Sequence, residues 1–329
     1  MLDDSIMAFY PQELHLRLKK QKYQLVGTHS AVKKCNWLHQ SLLYNRVCYK
    51  EKFFGINSHR CLQMSPTLFH CNFHCLHCWR IMPEDIGLAW DELSPPKQGW
   101  DPPEKVFKES FEAQRKILSG YKSLVLKGKI SSSKYAEALN PTQVAISLTG
   151  EPTLYPFLGD LIELYKKAGC TVFLVTNGTL PNAISSLSSL PTQLYISLTA
   201  YDYESFIKLN RPLSKNLWES ILKSLEILKS LECPTVLRIT SIKGLNMNAP
   251  DAFAKIINKY EPLYVETKAY MHIGYSMYRL KRENMPSHDD IKIFAKLIAE
   301  RTGYNIIGES KASRVILLSK KLISPKKFN

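Results

Sequence analysis

Cys71, Cys75 and Cys78 form a C-x3-C-x2-C triplet in the string CNFHCLHC. Three thiolates at this spacing suit an iron–sulfur cluster, and because a [4Fe–4S] cube has four irons, three cysteines leave one iron open to another ligand. A zinc finger would need a second C-x2-C or a His pair at a fixed distance, and none follows. A Cys/His zinc site nevertheless stays open as the alternative. The histidines among these cysteines are His70, His74 and His77.

A second group of cysteines precedes the first. Cys35, Cys48 and Cys61 are spaced C-x12-C-x12-C, so six of the eight cysteines fall within residues 35–78. The opening string MLDDSIMAFYPQEL has neither the basic nor the apolar region of a signal peptide, so we expect a cytoplasmic protein with reduced thiols. Clustered cysteines in that setting predict a second [4Fe–4S] cluster with one open iron. Three buried structural thiols are the alternative.

Strand-like and helix-like segments alternate along the chain and must position these groups. The predicted strands are residues 67–71, 144–150, 171–178, 193–200, 235–244 and 263–271. The predicted helices are residues 103–118, 156–168, 217–231, 250–259 and 288–301. Such alternation predicts a parallel sheet with right-handed crossovers. Six strands of this kind predict an α/β fold, a partial (β/α)6 barrel of the TIM type, whose reactive groups gather at the carboxyl ends of the strands.

Three parts of the chain are expected. Residues 1–62 form a basic N-terminal extension with the second cluster, residues 63–310 form the barrel, and residues 311–329 form a C-terminal edge strand and basic tail. The edge strand is predicted at 314–319. The Ser- and Lys-rich stretch 119–134 is interpreted as an exposed insertion with little order.

The chain is strongly basic, with a formal net charge of +15, and the excess is concentrated at its two ends. Residues 1–60 carry 10 Lys and Arg against 4 Asp and Glu, and residues 266–329 carry 13 against 6. This distribution favours a polyanionic partner such as nucleic acid, although a solubilising surface is the alternative. No apolar stretch approaches the ~20 residues that a membrane span needs, so we expect no membrane partner.

The cysteine triplet at residues 71–78 has the spacing of radical S-adenosylmethionine (SAM) enzymes, and SLTGEPTLYP resembles the same superfamily. There, SAM chelates the open iron, and a Gly-Gly-Glu at the end of the second strand binds its amino group. Thr149, Gly150 and Glu151 occupy that place, with Thr149 in the position of the first glycine. His77 stands where the superfamily often has an aromatic residue against adenine. Further candidate SAM contacts at strand ends are Asn177, Ser197 and Thr199.

Longer strings resemble the tRNA 4-demethylwyosine synthases from about residue 20 to residue 300. They are CYKEKFFGINSHRCLQMSP, AISLTGEPTLYP, RITSIKGLNM and VETKAYMHIGYSMYRLKRENMPSH. The resemblance implies a lyase that condenses N1-methylguanosine-37 of tRNA-Phe with two carbons of pyruvate. It implies that SAM is cleaved to methionine and a 5′-deoxyadenosyl radical, which abstracts hydrogen from the N1-methyl group. The chain resembles the shorter archaeal form, which has no flavodoxin-like domain, so we expect an external flavodoxin- or ferredoxin-like electron donor. We also expect a monomer.

Pyruvate has two predicted modes of binding. Its carboxylate and keto oxygen can chelate the open iron of the upstream cluster, or a lysine can form a Schiff base with its keto carbon. The resemblance implies Lys50, two residues after Cys48, with Lys52 second. The basic ends, including Arg279, Lys281 and Arg282, are expected to contact phosphates. The alternative functions are another radical SAM enzyme that methylates or methylthiolates RNA, and a non-catalytic Cys/His zinc protein that binds RNA.

Overall fold

The computed structural model describes residues 11–96, 98–321 and 327–328. The strands within them are Tyr23–Val26 (β1), Ser30–Lys33 (β2), Cys61–Ser65 (β3), Gln143–Ile146 (β4), Thr171–Thr176 (β5), Gln193–Leu198 (β6), Thr235–Ser241 (β7), Tyr264–Ala269 (β8), Asn305–Ser310 (β9) and Val315–Ser319 (β10). They form one sheet in the order β1-β2-β3-β4-β5-β6-β7-β8-β10-β9. Neighbours from β3 to β8 are parallel, and all other neighbours are antiparallel. The six parallel strands in chain order confirm the predicted partial (β/α)6 barrel.

Helices connect and flank these strands. They are Gln12–Lys20 (α1), Asn36–Tyr44 (α2), Tyr49–Phe54 (α3), Pro83–Ile86 (α4), Pro103–Ser119 (α5), Lys122–Leu126 (α6), Ser132–Ala138 (α7), Leu158–Lys167 (α8), Pro181–Ser185 (α9), Tyr203–Asn210 (α10), Leu217–Ile227 (α11), Pro250–Tyr260 (α12), Ser276–Arg279 (α13) and His288–Thr302 (α14). The five predicted helices correspond to α5, α8, α11, α12 and α14. No helix in the described part of the chain is both long and apolar enough to cross a bilayer.

The two faces of the parallel sheet are covered by different elements, because successive side chains of a strand point to opposite faces. Leu174, Ile196 and Leu237 belong to the core on the outer face, which also contains Leu161 of α8 and Phe253 of α12. The alternate residues line the inner face and pack against α3. They are Phe173, Tyr195, Val236 and Tyr264.

The short helix α3 fills the inside of the barrel near the amino ends of the strands. It begins after Cys48 and ends at Gly55, whose φ of +77° favours glycine because an L side chain is strained there. Tyr49, Phe53 and Phe54 are buried against the inner strand residues. The apolar face of the helix that follows Cys48 is therefore part of the barrel interior rather than of a peripheral segment.

The strand predicted at residues 67–71 is wrong. The first parallel strand is β3, and residues 67–71 instead form a turn in which the His70 N–H donates to the Thr67 carbonyl at 3.1 Å. Both segments are short and largely apolar, so periodicity cannot separate them. The predicted boundary at residue 62 falls within β3, so the sheet continues from the N-terminal segment into the barrel.

The prediction of a poorly ordered insertion at 119–134 is also wrong. The stretch contains α6 and the start of α7, and it packs against α2. Tyr121 and Ile130 are buried in one cluster with Leu38 and Leu42 of α2. The prediction failed because the buried apolar residues of this stretch are far apart in sequence and separated by many Ser and Lys residues.

The strand predicted at 314–319 exists as β10, but it does not lie at the edge. β10 pairs with β8 on one side and β9 on the other, so β9 is the edge strand. All five residues of β10 are buried, as expected for an internal strand. The prediction missed β9 because NIIGES is partly exposed and lacks a clear alternation. Most of the tail beyond Lys321 lies outside the described residues.

Candidate active site

Cys71, Cys75 and Cys78 line one cavity of about 360 Å³ at the carboxyl ends of the parallel strands. Burial raises the pKa of the Cys71 thiol to about 12 and that of Cys75 well above its usual range, and neighbouring thiols add to both shifts. The Phe73 N–H donates to the Cys71 sulfur, and the Asn210 amide lies 3.6 Å from the Cys75 sulfur. Buried thiolates need a positively charged partner, so this arrangement fits the predicted cluster.

Buried ion pairs fix the loop that carries this triplet. Arg80 pairs with Glu92 at 2.5 Å and donates to the Phe73 carbonyl at 2.8 Å. Arg279 pairs with Asp85 and also donates to the Cys78 carbonyl. The Arg279 side chain is only 7% exposed, so its predicted role as a phosphate contact is wrong. A cation that is already paired and buried is unavailable to RNA.

The loop after β4 is in close contact with the loop before Cys71. Gly150 has a φ of +73°, and a Cβ at this position would lie 1.8 Å from the Thr67 carbonyl oxygen. The Ser65 hydroxyl donates to the Thr149 carbonyl at 2.5 Å, and the Glu151 N–H donates to the His70 carbonyl at 2.9 Å. Only glycine permits this approach, which sets residues 149–151 beside the cysteine loop.

The Glu151 carboxylate joins the ends of β4 and β5. One oxygen, Oε1, accepts from the Thr153 N–H at 3.0 Å and from the hydroxyls of Thr153 and Thr176 at 2.6 Å. The other, Oε2, accepts from the Asn177 N–H at 2.7 Å. Burial raises the pKa of Glu151, while these donors act in the opposite direction. Because Oε2 accepts one bond, it retains capacity for a further donor from the cavity.

The remaining predicted SAM contacts also line the cavity. The Asn177 amide donates to Asn72 at 2.7 Å, and its oxygen accepts from the Thr179 hydroxyl at 2.7 Å. Ser197 and Thr199 follow at the end of the next strand. His77 lines the same cavity, and burial lowers its pKa to about 4, so its ring is neutral near pH 7. The structure thus brings all of the predicted strand-end residues to one cavity.

The upstream cysteines also lie together. Cys35 and Cys48 precede α2 and α3, and Cys61 begins β3. Burial raises the pKa of all three thiols, that of Cys48 to about 12, and Cys48 and Cys61 are raised further by their neighbours in the triplet. Backbone N–H groups donate to sulfur, from Trp37 to Cys35 and from Lys50 to Cys48. Helix N-termini favour negative charge, so the sites suit thiolates that bind a cluster.

Lys50 is buried beside this triplet, whereas Lys52 is exposed. The Lys50 ammonium lies 4.0 Å from the Phe173 ring centroid and 4.4 Å from that of Tyr195. Burial and the Arg238 charge lower the pKa of Lys50 to about 8, while Glu266 and the nearby thiols oppose the shift.

Arg238, Glu266 and Lys268 are site residues that sequence reasoning missed. Arg238 pairs with Glu266 at 2.9 Å, donates to the Tyr49 hydroxyl at 2.7 Å and lies 4.4 Å from the Tyr195 ring centroid. Lys268 lies 4.7 Å from the Tyr49 ring centroid, and burial lowers its pKa. Both cations line the cavity. Charged residues within the buried strand strings TVLRITS and YVETKA were the available signal.

The contacts of His74 do not favour the zinc alternative. Both ring nitrogens of His74 are engaged, Nδ1 with Glu84 at 3.1 Å and Nε2 with Glu92. Within the residues described, no three His, Cys, Asp or Glu side chains are placed to share one metal ion. The cysteines of an iron–sulfur cube bind separate irons, so that requirement does not apply to them.

Known proteins resemble this chain over nearly its whole length. Residues 132–257 match the radical SAM superfamily and residues 259–320 match a family described as wyosine base formation. The S-adenosyl-L-methionine-dependent tRNA 4-demethylwyosine synthase of Pyrococcus horikoshii is 47% identical, over 96% of this chain and 91% of that protein. The enzyme of the same name from Methanocaldococcus jannaschii is 42% identical, over 96% of this chain and 99% of that protein. The chain belongs to the tRNA 4-demethylwyosine synthase family.

Solved structures support this assignment. A structure of TYW1 with a lysine-pyruvate adduct bound superposes with a TM-score of 0.86 at 40% identity, covering 97% of this chain and 99% of that one. The crystal structure of archaeal TYW1 superposes with a TM-score of 0.79 at 36% identity, covering 97% of this chain and 100% of that one. The radical SAM match of this chain begins after the cysteine triplet, and the wyosine match includes β8, which carries Lys268.

Proposed function

We propose that this protein condenses N1-methylguanosine-37 of tRNA-Phe with pyruvate to form 4-demethylwyosine, and that it acts as a lyase. The observation that carries the proposal is the arrangement of both cysteine triplets around the barrel interior. The first triplet lines the cavity, and Lys268 lines the same cavity. Cys35 and Cys48 of the second triplet are near enough to Lys268 to affect its pKa, so both triplets adjoin the same space. An RNA methyl- or methylthiotransferase of the superfamily would need no pyruvate.

The first triplet and the strand ends are proposed to hold a [4Fe–4S] cluster and SAM. When bound, the two cofactors would together supply the radical chemistry, the abstraction of hydrogen from the N1-methyl group. Gly150 sets the backbone of residues 149–151 against the cysteine loop, and Glu151 Oε2 offers an acceptor for the SAM ammonium. Asn177, Ser197 and Thr199 offer polar groups at the ends of the next two strands, β5 and β6.

The second triplet is proposed to hold another [4Fe–4S] cluster within the N-terminal segment 1–62, attached to a barrel of residues 63–310 and a C-terminal part of residues 311–329. None of the eight cysteines is in a disulfide, which suits a reducing cytoplasm. We propose that a flavodoxin- or ferredoxin-like donor supplies electrons, because reductive cleavage of SAM consumes a reductant. The protein is also proposed to act as a monomer.

An excess of buried positive charge supports pyruvate as the co-substrate. Lys50, Arg238 and Lys268 all interact with the same carboxylate, Glu266. A cluster with three thiolate ligands would carry a net negative charge that offsets only part of this excess, so a further anion would be stabilised among these cations. The carboxylate of pyruvate has the required charge and size.

Lys50 is proposed to bind pyruvate covalently. Its amine would attack the keto carbon, and the carbonyl oxygen would leave as water to give a Schiff base. The support is its burial against Phe173 and Tyr195, together with the lysine-pyruvate adduct named for the similar TYW1 structure. Chelation of pyruvate by the second cluster is the competing mode.

An anaerobic assay with dithionite, SAM, carbon-labelled pyruvate and tRNA bearing N1-methylguanosine tests the function. Nucleoside mass spectrometry should find labelled 4-demethylwyosine that forms only with pyruvate. A methylated or methylthiolated nucleoside that forms without pyruvate would identify the other class of RNA-modifying enzyme. Zinc in place of iron, with no SAM cleavage, would indicate a binding protein.

The role of Lys50 is tested by borohydride trapping with labelled pyruvate, since a Schiff base is reducible. Lys50→Arg keeps the charge but removes the nucleophile, because guanidinium stays protonated. We expect this variant to lose trapping and product, while the matched control Lys52→Arg retains both. Product from Lys50→Arg near the parent rate would refute the covalent role and leave chelation.

A further inference from the structure

Four large apolar side chains are exposed on the segment that follows β8, which begins at the cavity. Met271 and Ile273 line the cavity and are 39% and 45% exposed, and Met277 and Tyr278 are 52% and 81% exposed. We call these four residues the apolar rim. Exposed apolar groups concentrated beside a binding cavity mark an interaction surface rather than a random surface feature.

The backbone beneath the apolar rim is held firmly. Gly274 has a φ of +58°, and a Cβ there would lie 2.6 Å from the Trp79 carbonyl oxygen, next to Cys78. The Tyr275 N–H donates to that carbonyl at 3.1 Å, and the Tyr275 hydroxyl accepts from Arg17 at 3.0 Å. The centroid of the Tyr278 ring lies 5.5 Å from the centroid of the Tyr275 ring. A fixed platform loses little conformational entropy when a partner binds.

Positive charge follows the apolar rim directly. Lys281 and Arg282 are exposed, and the Lys281 side chain is 81% exposed. Aromatic rings beside cations are the arrangement with which proteins bind single-stranded RNA, because rings stack on bases while cations pair with phosphates. An apolar protein partner would gain nothing from these cations, so the charge favours RNA as the occupant.

The reacting base has to leave its stack to reach the cavity. An enzyme that acts on a base extrudes it, and the neighbouring bases then lose a stacking partner. We propose that the apolar rim replaces this partner: Tyr278 stacks on a nucleotide adjoining the substrate base when that base enters the cavity. The inference rests on the proposed function in taking the RNA to be the tRNA anticodon loop.

The test measures binding of tRNA bearing N1-methylguanosine to the anaerobically reconstituted protein at fixed salt. Tyr278→Ala should raise the Kd by roughly 5- to 100-fold, since one stacked base is lost. Tyr278→Trp and Tyr278→Phe should bind like the parent because they keep a ring. Tyr278→Leu keeps apolar area without a π face, so it should bind nearly as poorly as the alanine variant.

The matched control is Tyr44→Ala. Tyr44 is 59% exposed at the end of α2, where its neighbour Asn45 contacts Lys134 of α7. This variant should bind tRNA within about twofold of the parent, a difference of less than half a kcal/mol. Thermal unfolding of each variant shows whether a change in affinity reflects loss of the fold.

Parent-like affinity in folded Tyr278→Ala, or full affinity in Tyr278→Leu, would overturn the stacking role. Either result is compatible with synthesis of 4-demethylwyosine by the parent protein. Conversely, weak binding by Tyr278→Ala in a protein that makes no 4-demethylwyosine would support the RNA platform and refute the proposed function. The two failures are therefore distinguishable.

Discussion

Removal of the Arg279 guanidinium tests how the cysteine loop is held. Arg279 is 7% exposed and Asp85 is 5% exposed, and the arginine also donates to the carbonyl of Cys78. Arg279→Met keeps much of the apolar stem but leaves the Asp85 charge buried without its partner. The variant should therefore be less stable and should retain less iron at the first triplet.

The magnitude follows from burial. Breaking one side of a buried ion pair costs roughly 3–5 kcal/mol. Unfolding entropy of about 2.1 cal/mol/K per residue over the 329 residues gives roughly 0.7 kcal/mol/K for the chain. The thermal midpoint should consequently fall by about 4–7 °C.

Scanning calorimetry and iron analysis of anaerobically reconstituted protein measure both effects. The double variant Arg279→Met/Asp85→Leu should recover most of the midpoint, because no buried charge is left unpaired. An Arg279→Met midpoint within about 1 °C of the parent would refute the clamp. A loss of tRNA affinity equal to that of Lys281→Glu, with stability intact, would restore the phosphate-contact hypothesis.

Three further outcomes are expected. Alanine at any cysteine of the first triplet should abolish 5′-deoxyadenosine formation and remove about half the iron, and continued cleavage in all three variants would contradict a SAM-binding cluster. These cysteines are Cys71, Cys75 and Cys78. Alanine at Cys35, Cys48 or Cys61 should also remove about half the iron but stop only ring formation, whereas full iron content would identify structural thiols. Charge reversal at Lys281 and Arg282 should weaken tRNA binding and reduce its salt dependence by about one unit of log–log slope per lost phosphate contact, which a salt titration measures.

The alternation of strands and helices was sufficient to predict the barrel, because five of its six parallel strands are short runs rich in β-branched and aromatic residues that alternate with amphipathic helical segments. The first strand was not predicted, since CLQMS and TLFHC are equally short and apolar, and the difference lies in pairing with β2 and β4. Pairing partners are distant in sequence and leave no local signal.

Candidate site residues that belong to one continuous string of the sequence could be predicted. Those that come together only when different strands pair could not. The cysteines, Glu151 and Lys50 come from recognisable strings. Arg238 and Lys268 meet only because β7 and β8 are adjacent. Arg279 was predicted to be an exposed cation because Lys281 and Arg282 lie next to it in the sequence. Its partner Asp85 is 194 residues away, so the sequence did not indicate that the arginine would be buried.

The position of α3 has a kinetic consequence. Among the described residues, this helix covers the inner face of the sheet near the amino ends of the strands, while the cavity lined by Arg238 and Lys268 lies at their carboxyl ends. We therefore expect a small reactant to approach Lys50 from the carboxyl-end mouth. A bound RNA would cover that mouth, and the reactants must therefore add in a compulsory order, with the small keto acid before the macromolecule. Excess tRNA should then inhibit turnover at low pyruvate and cease to do so at saturating pyruvate.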